Sequence, residues 1–208
     1  MSEQLKGIFI NCPYDDEYKQ FFEEIVFLCY YFHFEPHFAS EDISSGSRQD
    51  KIVGLIQNTK YGIHDISRVS ISHISGLPRF NMPFELGMDV MHCVETDKDK
   101  KLLVLDGKKG NYEKLLSDIK CADIEAHENK PENLFKILRT FFLQIGSYKD
   151  VKSPNYILNY YQMTFSVWLK ENLRECDIDM ASGISMLEYK QKVCQFFRDN
   201  YGDGAQCN

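Results

Sequence analysis

The stretch from Tyr61 to Asp106 decides the fold through three segments: Tyr61-Gly-Ile-His-Asp-Ile66, Pro83-Phe-Glu-Leu-Gly-Met-Asp-Val-Met-His-Cys-Val94 and Lys101-Leu-Leu-Val-Leu-Asp106. The outer two are short apolar runs of strand length, and Lys101–Asp106 is the clearest strand in the chain. Between them Pro83 opens a helix, because its fixed φ suits a first turn, and Phe84, Met88, Met91 and Val94 recur at helical spacing.

The same alternation continues outward. Gly7-Ile-Phe-Ile-Asn-Cys12 reads as a buried strand ended by Pro13, and Phe21, Ile25, Leu28, Cys29 and Phe32 mark a helix that starts behind Asp15 and Asp16. Phe34–Ala39 forms a second strand, Ser44-Ser-Gly-Ser47 a loop, and Ile52, Leu55 and Ile56 one face of a second helix. Beyond Asp106 come a short helix near Tyr112–Leu116, a weak strand near Ala122–Ile124 and a helix over Glu132–Ile145. The expected strands are 6–12, 34–39, 60–65, 101–106 and 121–125. Strands alternating with helices predict an α/β protein with a five-stranded parallel sheet covered on both faces.

The pattern changes after Gly146, so residues 1–147 are read as the α/β domain and 148–208 as a C-terminal helical extension. Ser153-Pro154 begins a helix carrying Ile157, Tyr161, Phe165 and Trp168. A second, Met186–Phe197, carries Tyr189, Val193, Phe196 and Phe197, and the Ser182-Gly183 turn makes the pair a hairpin. Together with Tyr160 and Tyr201 these aromatics exceed what two helices bury between themselves. The extension therefore either packs on the chain's own core or supports a homodimer or a protein partner.

Composition narrows the function. The 208 residues are 43% hydrophobic, with 15 Phe and 12 Tyr, which is the make-up of a folded protein. A net charge of −7, with 24 basic against 31 acidic residues and no basic run, argues against nucleic-acid binding. The longest strongly apolar run, Ile25–Phe32, has eight residues, far below the ~20 needed to span a bilayer, so no membrane association is expected. Met1-Ser-Glu-Gln-Leu-Lys6 has no cationic start or apolar run of a leader, and the expected location is cytoplasmic. The seven cysteines (12, 29, 93, 121, 176, 194, 207) form no CxxC pair and are read as reduced thiols.

In an open parallel sheet ligands bind beyond the carboxyl ends of the strands. Those ends supply the candidate ligand contacts Asn11, Pro13 and Asp15, then Ser45, Gly46 and Arg48, then Ser67 and Arg68, and Asn81 ahead of the third helix. Glu85 is the leading candidate for catalysis. In a first helical turn its carboxylate would be held ionised, suited to attack an anomeric carbon or to stabilise an oxocarbenium-like transition state; the alternative is the ordinary preference for acids there. Asp65 either orients a ribose hydroxyl or a general acid, or caps the following loop. His64, on the opposite side of the pleat, reads as a satisfied core histidine, and Asp89 and His92 as solvated. Arg48, Arg68 and Arg79 suit phosphate contacts or surface ion pairs. No Walker loop, GxGxxG, GxSxG or HExxH occurs, so ATPase, dinucleotide-fold, serine-hydrolase and zinc chemistry have no motif, and no metal is expected.

Over residues 6–145 the chain resembles the nucleoside 2-deoxyribosyltransferase-like families and the related TIR-like NAD-cleaving domains. The resemblance rests on Gly7-Ile-Phe-Ile-Asn-Cys-Pro13 with Asp15, on Tyr61-Gly-Ile-His-Asp65-Ile-Ser67-Arg68, and on Asn81-Met-Pro-Phe-Glu85-Leu-Gly87 followed by Lys101-Leu-Leu-Val-Leu105. It implies a flavodoxin-like fold with sheet order 2-1-3-4-5, and it assigns the essential glutamate of both families to Glu85. The implied function is an N-glycosidase acting on NAD or a related nucleotide, with NAD as substrate and no cofactor, in the setting of a bacterial antiviral-defence effector. The alternatives are a catalytically silent TIR-like nucleotide-binding or assembly module and, more weakly, deoxyribosyl transfer. Where the transferases carry Asp and Gly-Thr before this helix, the chain has Arg79-Phe-Asn-Met-Pro83.

Overall fold

The computed structural model describes residues 6–40, 47–68, 80–96, 99–110, 123–176 and 183–201. Five strands, β1 (Lys6–Asn11), β2 (Phe34–His37), β3 (Tyr61–Asp65), β4 (Lys101–Asp106) and β5 (Asp123–Ala126), form one parallel sheet in the order β2-β1-β3-β4-β5. This is the flavodoxin-like arrangement, and the sheet order reverses between β1 and β3. The expected strands differ from these by a few residues at their ends. Pro36 lies in β2, where the edge position tolerates its missing N–H.

Alternation along each strand sorts side chains to the two faces. Ile8, Ile10, Ile63, Leu103 and Leu105 point to one side, where α1 (Lys19–Tyr31) and α4 (Pro131–Ile145) cover them. Phe9 and Val104 point to the other, toward α2 (Arg48–Asn58) and α3 (Asn81–Glu95). Ser47 starts α2 with a capping box, accepting from the Asp50 N–H while Asp50 accepts from the Ser47 N–H.

Three further helices follow: α5 (Pro154–Tyr160), which continues through a π-turn (Tyr161–Phe165) into α6 (Ser166–Glu175), and α7 (Met186–Tyr201). They cover the outer side of α1. Phe27 packs against the rings of Tyr161, Phe165 and Phe197 at centroid distances of 5.0, 5.1 and 5.3 Å. The Tyr189 hydroxyl donates to the Glu23 carbonyl at 3.1 Å, and Lys190 pairs with Glu35 at 3.7 Å. Thus α1 is enclosed by the sheet on one side and by the extension on the other, which is why it is apolar almost all round. The aromatics expected to drive assembly are largely covered by the chain itself, with Tyr201 still exposed.

Three readings need correction. Helix α3 begins at Asn81 rather than at Pro83, because Phe80 already occupies the N-cap, so Glu85 lies one residue beyond the first turn and gains less from the helix dipole. Asp89 is buried rather than solvated. Cys194 is disulfide-bonded, whereas Cys12, Cys29, Cys93 and Cys176 are free. The helix expected near Tyr112–Leu116 lies outside the described residues. No helix among the described residues is long and apolar enough to cross a membrane.

Candidate functional site

β1 and β3 are neighbours, with Asn11 in register with His64, and their carboxyl ends flank the point where the strand order reverses. The chain leaves β1 through Cys12, Pro13, Tyr14 and Asp15, and leaves β3 through Ile66, Ser67 and Arg68. The start of α3 is tied to this place by Asn11, whose Nδ2 donates to the Met82 carbonyl at 2.9 Å.

Glu85 projects from α3 with 6% of its surface exposed, and its Oε1 lies 4.0 Å from Arg48 Nη2 at the start of α2. Burial raises its carboxyl above the ordinary glutamate value, and the Arg48 guanidinium opposes that rise. Arg48 also lies over the Tyr14 ring, 5.9 Å from its centroid, so one cation links the loop after β1 to the carboxylate on α3. Arg68 pairs with Asp15 at 3.4 Å and with Glu17 at 2.8 Å. Cys12 is buried between these acids. Desolvation, then the charges of Asp65, Glu85 and Asp15, push its thiol well up, which removes it as a nucleophile.

Asp65 is fully engaged. Its Oδ2 accepts from the Tyr18 hydroxyl at 2.6 Å and from His127 Nε2 at 3.1 Å, and its Oδ1 accepts from the Ser67 N–H at 2.8 Å and the Ser67 hydroxyl at 2.5 Å. The Asn129 N–H donates to His127 Nδ1 at 3.0 Å, so the histidine carries its proton on Nε2, facing Asp65. Asp65 has no surface exposed. It shapes the floor of the crevice through Tyr18, Ser67 and His127 and does not present a carboxylate to a sugar. Gly107 permits this floor, since a Cβ there would meet the Ser67 Cβ at 2.9 Å.

A second buried network lies on the α3 side. His64 Nε2 is 3.0 Å from Asp89 Oδ2, Lys100 Nζ is 2.8 Å from Asp89 Oδ1, and Asn11 Nδ2 is 3.0 Å from His64 Nδ1. With Asn11 Nδ2 donating both to Met82 and to Nδ1, His64 turns its Nε2–H to Asp89. Burial acts to raise the Asp89 carboxyl, but its interactions with His64 and Lys100 prevail and hold it below the usual aspartate range. Gly62 makes room for this pair: a Cβ would meet Leu102 Cδ2 at 2.8 Å, His64 Nε2 at 2.9 Å and Asp89 Oδ2 at 3.0 Å. One turn of α3 separates Asp89 from Glu85, so the ion pair that anchors the helix also fixes the direction of Glu85.

The structure therefore gathers Asn11, Pro13, Asp15, Arg48, Arg68 and Glu85 around the ends of β1 and β3, and sets Asp65 and Ser67 beneath them. Asn81 is exposed at the start of α3. Ser45, Gly46 and Arg79 lie outside the described residues. Tyr18, His127, Asp89 and Lys100 were not singled out by sequence reasoning for a ligand site. His127 carried one signal, its place just past the last strand. No cluster of three metal-ligating side chains occurs among the described residues. A cavity of about 1090 Å³ lies elsewhere, between β4, β5 and α4, lined by Leu103, Glu125, Lys136 and Phe141 among others, and it does not reach Glu85.

No family model, curated protein or solved structure matches the chain. The family resemblance read from the sequence thus rests on the quoted motifs, and the arrangement of the site is argued from its own chemistry.

Proposed function

We propose that this protein cleaves the N-glycosidic bond of NAD or a related nucleotide, with Glu85 as the carboxylate facing the anomeric carbon. The observation that carries the reading is the Glu85–Arg48 pair beside the strand-order reversal, 4.0 Å apart and set over the end of β1. A carboxylate there opposes the positive charge that develops as the C–N bond lengthens, and the guanidinium groups of Arg48 and Arg68 have the chemistry to take a nucleotide's phosphates. Nicotinamide leaves a pyridinium glycoside as a neutral base, taking the bonding pair. Water then adds to the anomeric carbon and releases one proton. Such a reaction requires no general acid, which suits a crevice whose other buried acid, Asp65, already holds its full set of donors.

A second reading is a module that binds a nucleotide without turnover, and it is favoured by the near-complete burial of Glu85 and its pairing with Arg48. Base release from NAD, measured beside a panel of nucleosides and nucleotides, separates the two. The glycosidase reading expects nicotinamide release with purine and pyrimidine nucleosides turned over far more slowly. Ligand binding with no base released from any compound supports the silent module.

A further inference from the structure

Helix α3 wears its chemistry inside out. Of its three acids, Glu85 and Asp89 are buried and Glu95, its last residue, is exposed, while Phe84, Met91 and Val94, with Phe80 at the N-cap, are 60%, 53%, 56% and 65% exposed. Pro83, Phe84, Gly87, Met88 and Met91 line a shallow groove of about 580 Å³ along this face. Between Phe80 and Val94 no charged side chain is exposed. Soluble helices show the opposite pattern, and charge depletion with aromatic and methionine enrichment marks the centre of a protein interface.

We infer that this face is the core of an isologous contact between two copies of this chain, crossing at Gly87. The argument for a second copy is the near-symmetry of the stripe about Gly87. Phe80 precedes it by seven residues and Val94 follows it by seven; Phe84 precedes it by three and Met91 follows it by four. An antiparallel copy of α3 therefore sets Phe84 against the partner's Met91 and Phe80 against the partner's Val94, twice over, as two-fold symmetry requires. At the crossing, a Cβ on Gly87 would meet nothing within 4 Å, so the helix surface there is open to close approach. Electrostatics points the same way. Copies of a chain carrying −7 repel each other over most of their surface, and this face is one where they meet without charge. The four side chains leave on the order of 400 Å² of apolar surface uncovered, about half of the ~800 Å² per partner of a standard interface, with the rim to supply the remainder. This inference does not depend on the proposed chemistry.

Sedimentation velocity or light scattering of the full chain tests it. The wild type is expected at the two-chain mass. Gly87→Arg, which fills open space and replaces a poor helix former, is expected to halve that mass while leaving the far-ultraviolet circular dichroism spectrum unchanged. Gly54→Arg, equally open but on α2, should leave the mass unchanged. As a second line, Phe84→Glu and Met91→Lys should each give single chains, and their mixture should restore the two-chain mass. A wild type that stays at the single-chain mass at all concentrations, or a dimer that survives Gly87→Arg and both charged variants, overturns the inference.

Discussion

Asp89 accepts from His64 on one oxygen and meets Lys100 on the other, at 3.0 and 2.8 Å, with all three side chains removed from water. One carboxylate on α3 thereby ties the helix to β3 and to the residue that precedes β4. Removing either charge leaves the other buried and uncompensated, so Asp89→Asn and Lys100→Met are each expected to destabilise the fold by about 3–5 kcal/mol. Urea unfolding measures this. A loss below about 1 kcal/mol would show that the pair does not hold α3 in place. Because the folded-state carboxyl of Asp89 titrates below its unfolded value, its stabilisation is present above the unfolded value, near pH ~4, and disappears as the pH falls through the folded one.

Gly62→Ala tests the same contact by steric means. The new methyl would press on the His64 ring, the Asp89 carboxylate and Leu102 together, with an expected cost of about 1–3 kcal/mol. Chemical denaturation of this variant beside Gly54→Ala, which meets no neighbour, isolates the crowding. Equal stability in the two would remove the argument for close approach at Gly62.

Glu24 behaves in the opposite sense to Asp89. It is buried in α1, it accepts from Gln20 Nε2 at 2.9 Å on one oxygen, and burial pushes its carboxyl up to about 7. A carboxyl raised on folding carries no penalty below its unfolded value, near pH ~4.3, and an increasing one as the pH rises toward 7, reaching on the order of 3 kcal/mol above it. Stability should therefore fall between about pH 4.5 and 7, and Glu24→Gln should flatten that fall. Unfolding free energies measured across this range decide the matter. An unchanged slope in the variant would assign the pH dependence to other groups.

The C-terminal helices are expected to be required for folding. A chain ending near Ser147 uncovers the outer side of α1, including Phe27 and Tyr31, whose rings meet Tyr160 and Phe197 in the intact protein. An exposed apolar patch of that size leads to aggregation or to an expanded state. Solubility, circular dichroism and dye binding of the shortened chain check this, and a cooperative, soluble fragment would show that the α/β layer is independently stable.

The sheet was legible because strand and helix periods are local properties, and Tyr61–Asp65, Lys101–Asp106 and the helix between them keep those periods without interruption. The long apolar run Ile25–Phe32 also carried the signal of a helix buried on every side, although its second cover, α5 to α7, lies more than a hundred residues away in sequence. The candidate site was legible only in its location. For Asp65 the sequence leaves an available acid and a cap of the following loop both open; the Ser67 N–H shows the cap, while Tyr18 and His127, which take its other oxygen, stand 47 and 62 residues distant. Asp89 reads as solvated because nothing near it in sequence announces that Lys100 folds beneath the helix to meet it. The start of α3 was misplaced by two residues because Pro83 is a strong local signal and the contact that pins Met82, the Asn11 side chain, comes from β1.

The central claim, that Glu85 is the carboxylate opposing a breaking glycosidic bond, is tested most directly by comparing wild type and Glu85→Gln in two measurements on one preparation: nicotinamide release from NAD and equilibrium binding of NAD. The substitution preserves shape and removes the charge that a cationic transition state requires. The account predicts a loss of about a hundredfold or more in turnover with affinity changed only a few-fold. An active protein whose rate is unchanged by Glu85→Gln, or a wild type that binds NAD and releases no nicotinamide, would contradict it.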